Sequence, residues 1–299
     1  MSETRWYKGS LHAHSTESDG DVAPKKVAEW HRDHGYDWLV LSDHNALTVM
    51  DPAPASPLMV TGEEVTVMLE GQARAVYVNS VGISTVVEPV NGGDVLGTVQ
   101  ANVNGILEAG GIPSLCAPYF REGFDHDSLM GVTGYRLIEI YNAHPFNVHG
   151  DPRTFSYEDF WDLVLTSGRV VYGTATDDAH HYNEYGADKA NPGRAWVMAR
   201  ASELTDVAIL ESLTSGDFYC STGVKLNTLE STKESVSLQI EPSVMHTFTT
   251  TFVGRGGRTL AEQAGEEASY RVRGDEGYVR ARVDSNAGAR AWTQPVFTE

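Results

Sequence analysis

Residues 11–20 (LHAHSTESDG) combine two histidines and an aspartate at a spacing that suits cation binding. We predict a strand from Trp6 to His14, and residues two apart on a strand point to the same face. The imidazoles of His12 and His14 can therefore reach one cation, and Asp19, on the following turn, can reach a neighbouring one. From this segment alone, two surface histidines beside a capping aspartate are an equally good interpretation.

Three later segments also place polar, titratable side chains where an apolar strand ends. One buried strand runs into Asp43-His44, the next supplies Glu64, and a fourth is followed by Asp178 and His180 at i, i+2 spacing. Folds of the α/β class place ligands at the carboxyl ends of their strands, so four such segments in order favour a metal site. Oxygen and imidazole donors without thiolates suit Zn, Mn or Fe(II).

The elements that must position these side chains alternate between β-rich and helical patterns over residues 1–224, which is typical of a layered or barrel α/β domain. We predict helices at 24–34, 94–109, 157–166 and 203–215, with Asp21 as a candidate cap of the first. Strands are predicted at 6–14, 37–43, 58–68, 73–83, 112–117, 137–141, 170–176 and 195–201. Residues 225–299 show short strands at 236–240, 247–253, 270–273 and 278–283 and one possible helical turn at 260–264. We expect them to form a small antiparallel, β-sandwich-like domain.

Composition excludes some classes of partner. The 299 residues carry a net charge of −19, which argues against nucleic acid and against an anionic membrane surface, since both need clustered Lys and Arg. No apolar run approaches the ~20 residues that cross a bilayer, and the N-terminus lacks the pattern of a signal peptide. The two cysteines, Cys116 and Cys220, are expected to be small buried residues in a reducing cytoplasm. We expect a small-molecule substrate, and the sequence does not indicate an oligomeric state.

The order and spacing of these motifs resemble the polymerase and histidinol phosphatase (PHP) superfamily of metal-dependent phosphoesterases. The matching segments, all within about the first 220 residues, are His12-Ala13-His14 with Ser18-Asp19-Gly20, then Asp43-His44, Gly62-Glu63-Glu64 and Asp178-Ala179-His180. Residues 8–14, 176–180 and 290–295 look most like the carbaryl-hydrolase-type branch. The resemblance implies a distorted (β/α)7 barrel with two or three metals at the carboxyl ends of the strands. It also implies one metal held by His12, His14, Glu64 and Asp178, and a second held by Asp19, His44 and His180.

Two departures from that family pattern concern the remaining metal position. Ala117 stands where the family usually has a histidine before proline, and Tyr77 stands where another ligand histidine often occurs. His144 is either a partial replacement for them or an ordinary loop histidine, and the sequence leaves both open. Two divalent cations (Zn, Mn or Fe) are therefore expected rather than three.

The predicted activity is hydrolysis of a small-molecule phosphoester by a metal-bound hydroxide. Asp178 is a candidate for assisting proton transfer, and Arg121 is a candidate for contacting the phosphate. The alternative for Arg121 is an ordinary solvated loop residue. His181 either donates a proton to the leaving group or supports a metal ligand. Two other functions stay open: hydrolysis of a carboxylic or carbamic ester or amide at the same site, and a degraded family member that binds metal or ligand without turnover.

Overall fold

The structure, a computed structural model, describes residues 4–50, 57–69, 75–116, 130–145 and 156–298. Within them it contains four α-helices: α1 (Pro24–Asp33), α2 (Val95–Glu108), α3 (Tyr157–Thr166) and α4 (Asp206–Ser215). All four predicted helices are confirmed, with ends that differ from the predictions by up to three residues. None of the helices in the described segments is long and apolar enough to cross a membrane.

Local sequence explains where most of these helices begin. The Asp94 side chain accepts a hydrogen bond from Gly97 N at the start of α2, and Ser156 and Asp159 form a reciprocal capping box at the start of α3. The prediction that Asp21 caps α1 is wrong. Ala23 occupies the cap position without a side-chain bond, and Asp21 instead accepts bonds from the backbone of Tyr182 and Asn183.

The strands form three sheets. They are β1 (Arg5–Ser10), β2 (Trp38–Val40), β3 (Leu58–Val60), β4 (Gly62–Met68), β5 (Ala75–Val81), β6 (Ile112–Leu115), β7 (Leu137–Asn142), β8 (Tyr172–Thr176), β9 (Trp196–Ala201), β10 (Phe218–Ser221), β11 (Leu226–Ser231), β12 (Ser235–Ile240), β13 (Phe248–Gly254), β14 (Arg258–Ala264), β15 (Glu267–Arg271), β16 (Tyr278–Ser285), β17 (Arg290–Thr293) and β18 (Val296–Phe297). The largest sheet has the order β14-β13-β16-β17-β10-β9-β1-β2-β3, with β18 paired to β16. The other two are β11-β12-β15 and β4-β5-β6-β7-β8.

The N-terminal part is a mixed α/β structure whose two sheets adjoin at residues 58–68. The single strand predicted there is divided into β3 and β4, and β4 pairs with β5 in the predicted antiparallel hairpin. The sheet ladders form no closed barrel in the described residues, and these contain four helices, so the (β/α)7 barrel is not confirmed. A large apolar core built on Trp38, Trp161 and the Val, Ile and Leu residues of the strands holds the two sheets and their helices together.

The C-terminal part is antiparallel throughout its pairings, as predicted. Its two sheets enclose one apolar cluster that includes Val236 and Leu238 on one side and Phe252 and Val283 on the other. The helical turn predicted at 260–264 is wrong, because these residues belong to β14 and pair with β13. The largest sheet runs through β17 and β10 across the predicted boundary between residues 224 and 225, so that boundary stays a prediction.

Both cysteines are free and buried. Cys220 is fully buried in β10, where its Sγ lies 3.1 Å from the carbonyl oxygen of Gly173. Cys116 follows β6 and is 7% exposed. Cys220 therefore fits the expectation of a small buried residue, whereas Cys116 borders a cavity described below.

Candidate metal centre

The carboxyl ends of β1, β2 and β8 meet the start of β4 around one cavity. Isolated parallel bridges join Ala13 to Ala179 and His44 to Glu64 at this point. The cavity has a volume of about 200 Å³. The described residues that line it are His12, Asp19, His44, Glu64, Tyr77, Cys116, Asn142, His144, Asp178 and His180. Seven of the eight ligands predicted from the sequence are in this lining, and His14, the eighth, is fully buried against His12.

The first group of donor atoms surrounds the Nε2 atom of His12. It lies 3.1 Å from Nε2 of His14, 3.1 Å from Oδ1 of Asp178 and 3.5 Å from Oε1 of Glu64. Nε2 of His14 is 3.4 Å from the same Asp178 oxygen and 3.5 Å from Oε2 of Glu64. These are the four residues that the family resemblance assigns to one metal.

The second group surrounds the carboxylate of Asp19. Its Oδ1 lies 3.2 Å from Nε2 of His180 and 3.5 Å from Nδ1 of His14, and its Oδ2 lies 3.5 Å from Nε2 of His44. One ligand atom from each of these four residues lies within 4.8 Å of the others. The two groups thus share His14 and form adjoining sets.

The spacing and chemistry of both groups fit a divalent cation. Donors bound tetrahedrally at about 2.0–2.1 Å from an ion lie about 3.3 Å from one another, which matches the separations found here. Oδ1 of Asp178 is buried and makes no well-aligned hydrogen bond with a described residue, and a buried acceptor of this kind is costly unless something satisfies it. The described lining of the cavity contains no Lys or Arg to do so.

A buried carboxylate behind the first group fixes the orientation of His12. Glu139, in the middle of β7, accepts a 2.7 Å hydrogen bond from Nδ1 of His12 and bonds of 2.7 and 3.0 Å from Thr176 and Asn142. Nε2 of His12 is thereby left free to face the cavity, which is the usual arrangement behind a metal-binding histidine. Sequence reasoning missed Glu139, although a charged residue inside the apolar run LIEIYN was a detectable signal.

His180 is oriented by its own loop. Its Nδ1 donates to the carbonyl oxygen of Asp178 at 2.8 Å, so Nε2 faces Asp19. Asp178 itself has φ = +49°, and Asn45, next to His44, has φ = +51°. Left-handed backbone is uncommon outside glycine, although Asp and Asn adopt it more readily than other residues.

Asp43 holds the loop that carries His14 and Asp19. Its carboxylate accepts hydrogen bonds of 2.6 to 2.8 Å from the Ser15 backbone and from the hydroxyls of Ser15, Ser18 and Thr48. The loop then closes at Gly20, where a Cβ atom would stand 2.5 Å from the carbonyl oxygen of His14. Asp43 is therefore a support of the site, whereas its neighbour His44 is a donor.

The carboxylates and imidazoles shift one another's pKa values strongly. Burial alone would lower the pKa of His12, but the carboxylates of Asp178 and Glu64 outweigh it and raise this pKa well above the usual value. The pKa of His44 rises to about 10, because Asp19 and Glu64 outweigh its burial. The pKa of Asp178 is lowered against the effect of burial, mainly by the charge of His12. The carboxylates thus favour positive charge within the cluster.

Other predicted residues have different outcomes. His144 is on the cavity wall, with its ring 5.5 Å from that of His180, but it belongs to neither group of close donors. His181 is not in the described lining of the cavity, and its buried Nδ1 has no partner in the part of the chain that the structure describes. Glu63 faces away from the cavity and accepts a 2.6 Å bond from Val87 N.

Tyr77 is on the cavity wall, with its ring 6.0 Å from that of His44. Arg121 and Ala117 lie outside the described residues.

Comparison with known proteins supports the fold. No family model and no curated protein matches the chain. A solved structure from Bacteroides vulgatus, described as a two-domain protein containing a predicted PHP-like metal-dependent phosphoesterase, is 16% identical. It matches with a TM-score of 0.53 over 94% of this chain and 90% of that one. An amidohydrolase from Chromobacterium violaceum is 14% identical, with a TM-score of 0.41 over 58% of this chain and 88% of that one. The resemblance to PHP proteins is thus confirmed for the fold, and the carbaryl-hydrolase-type branch stays a prediction.

Proposed function

We propose that this protein is a metal-dependent hydrolase that cleaves a phosphoester of a small molecule. The observation that carries the proposal is the pair of adjoining donor groups, one buried and one partly exposed at Asp19, which bring imidazoles and carboxylates within 3.1–3.5 Å without a described Lys or Arg beside them. Carboxylates gathered in this way need positive charge beside them, which a bound cation would supply.

We assign the residues of the two donor groups to two cations. His12, His14, Glu64 and Asp178 would hold one, and Asp19, His44 and His180 the other. When bound, the cations supply Lewis acidity and lower the pKa of water toward ~7. The ions are two at most in this proposal, and Zn, Mn and Fe all fit the imidazole and carboxylate donors.

Asp178 would act in proton transfer as well as hold a cation, and other side chains of the cavity lining would bind substrate. Asp178 is the candidate proton acceptor, because its carboxylate borders the cavity and is held by a 3.2 Å bond from Asn142. Tyr77 and His144 stand on the cavity wall, where they can orient a substrate. A volume of about 200 Å³ is below the ~300–1,000 Å³ of drug-sized pockets, so it suits a small molecule or the reacting end of one.

A carboxylic or carbamic ester is the second candidate substrate. A phosphate group usually needs Arg or Lys contacts besides metal, and the described lining has neither. Arg121, predicted to make such a contact, lies outside the described residues and stays a proposal.

The distorted barrel belongs to the same proposal. The isolated bridges Ala13–Ala179 and His44–Glu64 join the segments that follow β1 and β8 and connect the segment after β2 to β4, which supports a barrel that would close around the site.

The direct test compares substrates and metals on one preparation. The chain is treated with a chelator, reloaded with Zn, Mn or Fe(II), and assayed with aryl phosphate mono- and diesters, aryl acetates and aryl carbamates. We expect metal-dependent cleavage, fastest with a phosphoester, that His12→Ala abolishes and the exposed-residue control His246→Ala retains. Faster cleavage of the carboxylic or carbamic esters would favour the second candidate. Metal binding without any turnover would indicate the degraded member, and activity that survives His12→Ala would refute the assignment.

A further inference from the structure

We propose that Cys116 supplies a thiolate to the cation that His12 and Glu64 hold. The inference rests on the proposed function, because it requires a cation at this site. Ligand atoms of His12, Glu64 and Cys116 all lie within 4.8 Å of one another, and all three residues are buried. Cys116 also lines the cavity beside them. The sequence predicted donors without thiolates, so this sulfur changes the expected chemistry of the position.

The sulfur atom is held in place from behind. Cys116 immediately follows β6, and its Sγ accepts a 3.1 Å hydrogen bond from the backbone N–H of Asn79 on β5. Backbone N–H groups that donate to sulfur are a common support of metal-bound thiolates. Asn79 shares its strand face with Tyr77, which lines the cavity, and its side-chain oxygen is buried without a hydrogen-bond partner among the described residues.

The geometry of His12 limits this site to one cation. Nδ1 of His12 is already bonded to Glu139 at 2.7 Å, so Nε2 is its single free ligand atom. Because one imidazole nitrogen binds one ion, Cys116 shares the cation of the first donor group rather than creating a separate site. That cation would have nitrogen, oxygen and sulfur donors.

A thiolate donor changes which metals bind. Carboxylate and water ligands suit Mg²⁺ and Mn²⁺, whereas thiolate with imidazole favours Zn²⁺ and its spectroscopic substitutes Co²⁺ and Cd²⁺. The bound sulfur is deprotonated, and its proton passes to the buffer. The position next to Cys116 should therefore select zinc over manganese.

Cobalt spectroscopy tests the sulfur ligand directly, with a matched control in the same chain. Metal-free wild type, Cys116→Ser and Cys220→Ser are titrated with Co²⁺, and the near-ultraviolet sulfur-to-cobalt charge-transfer band is recorded. Cys220 is also buried, but its sulfur lies at Gly173. We expect the band in wild type and Cys220→Ser and its loss in Cys116→Ser. Zinc affinity should fall at least about tenfold in Cys116→Ser, since even changes behind a ligand cost that much.

A measurement on the wild type alone avoids any effect of the substitution on folding. X-ray absorption of the zinc-loaded protein should show a sulfur neighbour at about 2.3 Å beside lighter donors at about 2.0–2.2 Å. Zinc or cobalt that binds with only nitrogen and oxygen neighbours overturns the thiolate ligand and leaves the proposed hydrolase intact. A folded chain that binds no zinc, cobalt or manganese overturns both.

Discussion

Two clusters of buried charge in this protein differ in where their positive charge comes from. Between α3 and β16, the guanidinium of Arg280 is 1% exposed and binds Asp162 through bonds of 2.8 and 2.6 Å and Glu158 at 2.8 Å. Tyr278 donates a further 2.7 Å bond to Asp162. We call these four residues the arginine cluster. It contains its own cation and joins the C-terminal strands to a helix of the N-terminal part.

The metal-centre residues His12, His14, Asp19, His44, Glu64, Asp178 and His180 form the contrasting donor cluster. Like the arginine cluster, it contains buried carboxylates, those of Glu64 and Asp178. Its basic side chains are imidazoles and not a guanidinium. A buried ion pair forms as the protein folds, whereas a set of metal ligands fulfils its role only after an ion has bound. The first cluster should therefore govern stability and the second should govern activity.

Removing the internal cation has the largest expected effect. Arg280→Met should destabilise the fold by about 3–5 kcal/mol, because it leaves the buried Asp162 and Glu158 carboxylates without the cation that neutralises both of them. Urea unfolding measures the loss, with the exposed-residue variant Arg258→Met as control. Specific activity of the folded fraction should not change. A parallel loss of activity at temperatures well below unfolding would break the comparison.

Removing one donor of the metal centre should reduce activity more than it reduces stability. Asp178→Asn keeps side-chain shape, and asparagine tolerates the left-handed backbone found at this position. We expect kcat/KM to fall by more than about 100-fold. Substitution of a residue that only supports a metal ligand has a smaller effect. Unfolding of the metal-free protein should change less than it does in Arg280→Met, because the loss of the desolvation penalty offsets part of the lost pairing with His12. An unchanged rate constant would contradict the assignment of Asp178.

The carboxylate behind His12 should have an intermediate effect. Glu139→Gln retains the shape but weakens the hydrogen bond that fixes the His12 ring. Cation affinity is expected to fall between about 10- and 100-fold, as measured by competition with a metal indicator. Glu63→Gln is the matched control, since Glu63 is also buried but binds Val87 N outside the site. Equal losses in both variants would mean that Glu139 has no special connection to the cation.

A histidine outside both clusters shows what burial does without a compensating charge. His31 is fully buried, its Nδ1 donates to Val27 O, and burial lowers its pKa to about 4. Below pH 6.5 the unfolded chain binds a proton that the folded chain does not, so stability is lost as the pH falls through 6.5 toward 4. By pH 5 the loss from this group is about 2 kcal/mol.

His31→Phe should remove that part of the acid sensitivity. Urea midpoints of chelator-treated wild type and variant are compared between pH 7.5 and 5. If the two curves stay parallel across this range, His31 is not buried in its neutral form. The contrast with His12, whose pKa is raised among carboxylates, would then lose its physical basis.

The sequence predicted the donor cluster better than its surroundings, for a physical reason. His12, Asp19, His44 and Asp178 follow apolar strands, and the rule that parallel strand ends converge needs no knowledge of which strands are neighbours. Glu139 and Cys116 become relevant only because β7 lies beside β8 and β6 beside β5. Such pairing is set by long-range packing that local patterns do not encode.

The inability of local patterns to predict long-range packing also explains the errors in the predicted helices and strands. Asp21 was a plausible helix cap by local pattern, but its partners, Tyr182 and Asn183, are more than 160 residues away. Residues 260–264 have no strong β pattern, and their pairing with β13 makes them a strand. The arginine cluster was not predicted at all, because its members come from residues 158–162 and 278–280.

Equilibrium dialysis of the metal-free chain against zinc tests the central claim most directly, with metal analysis of the protein compartment. His14 is shared by both donor groups, so the wild type and Arg280→Met should retain tightly bound zinc and His14→Ala should lose most of it. A folded wild type that retains no zinc, manganese or iron, or a His14→Ala variant that retains as much as the wild type, would contradict the account.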